Sequence, residues 1–325
     1  MAFRIDPGQA LDAEFRRIAG EQLRKAEREL GEAGGDRHAA VHSARKRLKK
    51  LRGLLRLVRD ADADFYAEEN ARFRDTARAL SAVRDTAAQI EALDALEERF
   101  AGEVETKAFA AIRARLIERR DAAAASEVEM GAAVETALSS LGEARRRLDG
   151  FVVRRPDRNG AALAAKGFGR TYQRAQQALK QAEKRRDAES LHELRKRVKY
   201  HWMHLRLLAP VWPEAFAPLQ EAAKTIADDL GLDHDYAVLR AEAAETPTAF
   251  GSTSELSVVL ALMDRRQSEL RQAGLDAARR LLAEDAEAAG RRMRRLAKAA
   301  AAVAARNPEA PVETPEAARR RVAAS

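Results

Sequence analysis

One spacing of apolar residues recurs along the chain, and it is helical. Val41, Ala44, Leu48, Leu51, Leu55 and Val58 follow one another at intervals of 3-4-3-4-3, which draws one apolar stripe on one face of an α-helix. Leu191, Leu194, Val198, Leu205 and Leu208 draw the same stripe again. No run of alternating β-branched residues reads as a strand. The pattern predicts helices over 9–32, 37–60, 62–99 and 103–148, then over 161–185, 188–209, 214–245 and 252–303. Pro156 and Gly160 in FVVRRPDRNG break the pattern between the halves, and PVWPEAF at 210–216 punctuates the later one. Four helices per half with short connections predict an all-α protein built as two tandem four-helix bundles. The expected units are 1–150, 151–303 and a disordered tail, 304–325, poor in apolar residues.

The halves resemble each other. Set without a gap, VHSARKRLKKLRGLLRLVR (41–59) lies over LHELRKRVKYHWMHLRLLA (191–209). His42 falls on His192, Arg45 on Arg195, Lys46 on Lys196, Lys49 on Lys199 and Arg56 on Arg206. The same offset of 150 lays LSAVRDTAAQI over LGLDHDYAVLR and Asp85 over Asp235. Two matches at one offset indicate a duplicated unit. The first helices match less closely, with Arg170 opposite Glu21.

Charge changes the picture next. Residues 41–59 hold eight Lys or Arg, one His and no acid, in a chain of net charge +8. At ~100° per residue, His42, Arg45, Lys49, Arg52, Arg56 and Arg59 form a stripe beside the apolar one. A stripe beside the core lies at the lip of a groove between helices, and Lys46 and Lys50 widen it. The later half keeps His192, Arg195, Lys199 and Arg206, with Trp202 where Arg52 stood. Most charged helix faces are simply solvated. This one lacks acidic partners at i±4, is repeated and borders the core, so it implies a compensating anion. His201 falls in the core register and is expected to be neutral and hydrogen-bonded.

Several classes drop out. The absence of Cys removes disulfides, thiolate metal sites and Cys nucleophiles. No apolar leader or ~20-residue apolar span is present, so a soluble, cytoplasmic protein is expected. No Gly-rich phosphate loop, paired-carboxylate motif or Ser-His-Asp order suggests catalysis, and no cofactor is implied. A metal is disfavoured because His42 and His192 have Lys or Arg one turn on. Aromatics near the stripes are few (Tyr172, Tyr200, Trp202), and no nucleic-acid-binding motif appears. A polyanion gripped along its backbone fits better than one read by its bases. Asp85 and Asp235 are expected to orient an Arg or Lys of the stripe.

These doubled helices, VHxxRKRLKKLRxxLRL and LHELRKRVKYxxxxLRLL, resemble the signature helices of the CHAD family, the conserved-histidine α-helical domain. LSAVRDTAAQI and LGLDHDYAVL resemble its LGxxxDxxxL segments. KGFGRTYQRAQ, with Gly167, Arg170, Tyr172 and Arg174, resembles the opening of its second half. The resemblance implies two four-helix bundles around a basic central groove or pore that binds inorganic polyphosphate, and association with polyphosphate granules, without enzymatic activity. Matching positions carry that contact to His42, Arg45, Lys49, Arg52 and Arg56 and to His192, Arg195, Lys199 and Arg206. Lys46 and Lys196 are auxiliary, and Arg170 and Arg174 are added from the later opening. The other reading is a general nucleic-acid- or phosphoanion-binding protein.

Overall fold

The computed structural model describes residues 3–32, 37–80, 87–103, 107–124, 127–153, 160–250 and 252–306. Its regular elements are all helical: α1 (Leu11–Gly31), α2 (Arg37–Val58), α3 (Ala63–Ala79), α4 (Ala87–Arg99), α5 (Lys107–Ala124), α6 (Glu127–Leu148), α7 (Ala161–Arg185), α8 (Ala188–Leu207), α9 (Pro213–Glu245), α10 (Thr253–Leu281) and α11 (Ala286–Arg306). Local chemistry sets several starts. Asp62 accepts from the Phe65 amide at the start of α3, and Asp187 from the Ser190 amide at the start of α8. Ser252 and Glu255 form a reciprocal capping box on α10.

The observed helices differ from the expected ones where long segments divide. The 62–99 segment holds α3 and α4, and 103–148 holds α5 and α6. The 252–303 segment ends α10 at Leu281 and resumes at α11. The reason for that last break lies on α7. Tyr172 donates its hydroxyl to Leu281 O and accepts from the Glu284 amide, while Gln176 Nε2 donates to Leu282 O and Glu284 O. These side chains satisfy main-chain groups that leave the helix ladder. Asp285 then accepts from the Glu287 and Ala288 amides and starts α11. Residues 307–325, most of the expected tail, lie outside the described residues.

The packing also departs from a half-by-half division. α1 packs on α2 and α6, and α3 packs on the same two, which closes a four-helix ring. α7, α8, α9 and α10 close a second ring. The first half's α4 and α5, however, pack against α9 and α10. Their apolar faces bury Leu93, Leu96, Phe109 and Ile112 with Tyr236, Leu239, Val259 and Met263, a core separate from the main one.

The main core runs unbroken through both rings because α2 packs on α7 and α8. Two glycines allow this. A Cβ on Gly53 would come 2.7 Å from Met203 Sδ, and a Cβ on Gly167 would fall inside the backbone of Leu57. His204 fastens the first contact: its Nε2 lies 3.0 Å from Gly53 O. Full burial holds His204 at a pKa of about 4, so the ring is neutral and the carbonyl must accept from an Nε2–H tautomer.

Candidate functional site

The α2–α8 contact leaves a cleft of about 230 Å³, lined by Lys49 and Arg52 from α2 and by His192, Arg195, Lys196, Lys199, Tyr200 and Met203 from α8. Five of these side chains are cationic and none is a carboxylate. The cleft therefore gathers the basic stripes of two helices far apart in sequence. Taking Lys199 out of water lowers its pKa, and Arg195 and Lys46 push the same way against Asp228 and Asp235. A phosphate oxyanion placed here would offset that repulsion.

Neighbouring elements fix the individual groups. Arg195 lies against α9, where its Nε donates to Ala227 O at 3.3 Å. A Cβ on Gly231 would come 2.7 Å from its Nη2, so the glycine makes room for the guanidinium. His192 stacks on His234 of α9 with ring centroids 3.8 Å apart. Its Nδ1 is buried and has no hydrogen-bond partner among the described residues. Burial, then His234, Lys196 and Arg195, lower its pKa to about 4. Arg56 lies over the Tyr200 ring at 3.9 Å. Asn70 of α3 accepts from both Arg52 Nε and Arg56 Nη1 at 3.2 Å, which orders the cleft's edge with a neutral acceptor.

The remaining sequence candidates divide. Lys46 is close enough to disfavour charge on Lys199. Arg45 and His42 stand one and two turns before Lys49 on the same face of α2. Asp235 favours charge on Lys199, while Asp85 lies outside the described residues. Three candidates sit elsewhere. Arg206 is carried past the crossing, stacks on Trp202 at 4.9 Å and neighbours Arg4. Arg174 lines a separate groove of about 400 Å³ between α7 and α8, with Arg197 and Glu193. Arg170 grips Asp60 with two hydrogen bonds, at 2.7 and 2.8 Å.

Arg170 is thus occupied by an ion pair. The Arg170 hydrogen bonds, helped by Lys166, hold the Asp60 pKa at about 2. A lowered carboxylate pKa contributes stability above its ordinary value, and that stability is lost as pH falls towards 2. The pair is partly exposed, so it contributes under about 1 kcal/mol. Arg170→Ala should leave anion affinity within about twofold and lower the melting temperature slightly. A large affinity loss by calorimetry would return Arg170 to the site.

His201 is buried as expected and its ring is neutral, with a pKa lowered to about 3 by burial. The expected hydrogen bond is missing at Nδ1 among the described residues. Phe168 and Tyr172 enclose the ring instead, each with its centroid 5.2 Å away. Sequence reading also missed Asn70 and Met203, which carry no local signal. Asp233 is the acid it passed over: buried, it accepts from Gln267 and Arg271 of α10.

Among the described residues, no three His, Asp or Glu converge as metal ligands, and no helix is long and apolar enough to cross a membrane. A family model described as CHAD domain matches residues 17–244. No curated protein matches the chain, and no solved structure does.

Proposed function

The chain belongs to the CHAD family, and on that premise we propose that it binds inorganic polyphosphate in the cleft between α2 and α8, without catalysing a reaction on it. One observation carries the reading: five cations from two helices line the cleft with no carboxylate among them. Phosphate oxygens suit such a lining, because each Lys or Arg makes a charge-assisted hydrogen bond and no base need be read. Tyr200 is the single Phe, Tyr or Trp of the lining, and the His192 ring is already stacked on His234, which is too little for the stacking that single-stranded nucleic acid uses. His42 and Arg45 extend the contact along α2.

The basic groove belongs, in this reading, to a duplicated unit. α1 and α7 begin at 11 and 161, and α3 and α9 at 63 and 213, which repeats the 150-residue offset of the sequence. Gly53 and Met203, one offset apart, face each other at the helix crossing. Residence on polyphosphate granules would follow from the same binding.

Competition tests the reading. Immobilised long-chain polyphosphate is challenged with duplex DNA and with RNA of equal charge at physiological salt. Nucleic acid should displace the protein poorly, and equal displacement would favour a general phosphoanion binder. Incubation of the chain with polyphosphate and a divalent cation should release no phosphate.

Binding should also be linked to protons. In the free protein His192 is neutral at pH 7, its pKa being about 4. An adjacent anion favours the imidazolium and raises that pKa. Affinity should then climb as pH falls from 7 towards 5, below the bound-state pKa and above the free one. His192→Gln should flatten this dependence, measured by calorimetry at each pH. An unchanged slope would remove His192 from the contact.

A further inference from the structure

Arg206 leaves the cleft but not for solvent. The N-terminal segment folds back over the end of α8, where the Ile5 amide donates to Leu207 O at 2.8 Å, and Arg17 Nη2 donates to Arg4 O at 2.8 Å. Phe3 and Ile5 are buried beneath it. This docking brings Arg4 close enough to disfavour charge on Arg206, and Arg206 close enough to disfavour charge on Lys50 of α2. Lys50 Nζ lies 5.7 Å from the centre of the Phe3 ring.

The three cations come from three separate segments. Among the described residues, none of them makes an ion pair with a carboxylate, although their neighbours are paired. Arg47 holds Glu29 at 2.6 Å, and Lys25 holds Glu21 at 2.5 Å. Arg56, one offset from Arg206, has Asn70 as a neutral acceptor, whereas Arg206 lies against the Trp202 face. The charge carries a cost: burial, then Arg47, Arg206 and Lys25, against Glu29, lower the Lys50 pKa to about 8.

We propose that Arg4, Lys50 and Arg206 form a second oxyanion site, beyond the lining of the central cleft, that takes a phosphoryl group. Half-burial beside Phe3 and Trp202 strengthens each charge-assisted hydrogen bond made there, and the donors come from three separate segments. The phosphoryl group belongs either to a free phosphate or to a chain already seated in the cleft. The second source rests on the polyphosphate reading above.

Lysine acylation at pH 8, read residue by residue by mass spectrometry, tests the site on the full chain. With a pKa of about 8, Lys50 is about half free amine at this pH, far more than an ordinary lysine, and reacts quickly. A bound oxyanion that raises its pKa by about one unit slows the reaction several-fold. The probes are orthophosphate, tripolyphosphate and long-chain polyphosphate. Lys50 should be protected several-fold, and Arg4→Ala or Arg206→Ala should abolish the protection. Protection by orthophosphate identifies a free-ion site, and protection by the long chain alone identifies an extension of the cleft. Unchanged Lys50 labelling with all three probes overturns the proposal. Lys49 and Lys199, labelled in the same samples, report on the central cleft separately, so the two readings fail independently.

Discussion

Replacing Lys49, Arg52, Lys196 and Lys199 together by Ala should weaken polyphosphate binding by at least about a thousandfold. A hydrogen bond to a charged group contributes ~1.5–3 kcal/mol, and each 1.4 kcal/mol is about tenfold in affinity, so even strongly overlapping contributions reach that size. The salt dependence should change with it. Each phosphate neutralised contributes about 0.7 to the slope of log affinity against log salt for a single strand, and four lost contacts should make the slope shallower by about 3. The four side chains lie at the cleft wall, outside the core. Alanine favours helix, removal of Lys49, Arg52 and Lys199 relieves mutual repulsion, and Lys196 gives up only a partly exposed ion pair with Glu193, so the variant should stay folded. Arg195 is left in place because it packs against Gly231 and donates to Ala227, and its loss would disturb α9. Circular dichroism checks the fold and calorimetry the affinity. A variant that is folded and still binds within about tenfold would remove the cleft as the site.

Gly167→Ala should destabilise the fold by about 3 kcal/mol or more, at the upper end of overpacking costs. The added methyl would meet the backbone of Leu57, which has no rotamer to turn aside, so α7 must move from α2. Since α2 also packs on α8, the cleft should widen and affinity should fall with stability. Gly53→Ala makes a useful contrast. Its methyl would meet Met203 Sδ, the flexible end of a side chain that can turn away, while Met203 Cβ at 3.3 Å need give by only a few tenths of an ångström, and Ala gains up to about 1 kcal/mol of helix propensity over Gly. The expected net cost is about 1 kcal/mol or less. Denaturant unfolding of both variants should show Gly167→Ala as the far more damaging change. Similar losses would mean that the α2–α7 approach is looser than the geometry indicates.

The α2 and α8 stripes were legible because a helix converts spacing into direction. His192, Arg195, Lys199, Lys49 and Arg52 stand on predicted faces, and those faces form the cleft wall. Arg206 continues the same stripe by periodicity, yet it leaves the cleft because α8 crosses α2 at Met203, and residues beyond a crossing point diverge. Arg170 stands apart from the cleft for another reason. Its partner Asp60 lies 110 residues earlier in the chain, and nothing in local sequence pairs them. Asn70, without a motif of its own, becomes a shared acceptor only when α3 is laid beside α2.

Periodicity and composition were enough to determine an all-helical chain, the second-helix boundaries within about two residues, and a doubled basic face bordering the core. These are properties of single helices and their 3.6-residue repeat. Tertiary structure alone decided where long helical segments divide, because the α10–α11 break is satisfied by Tyr172 and Gln176 of another helix. It alone sent α4 and α5 to α9 and α10. It also decided which cations share a cleft and which are neutralised by an acid, because charge compensation depends on distances across the fold that spacing along one helix does not contain.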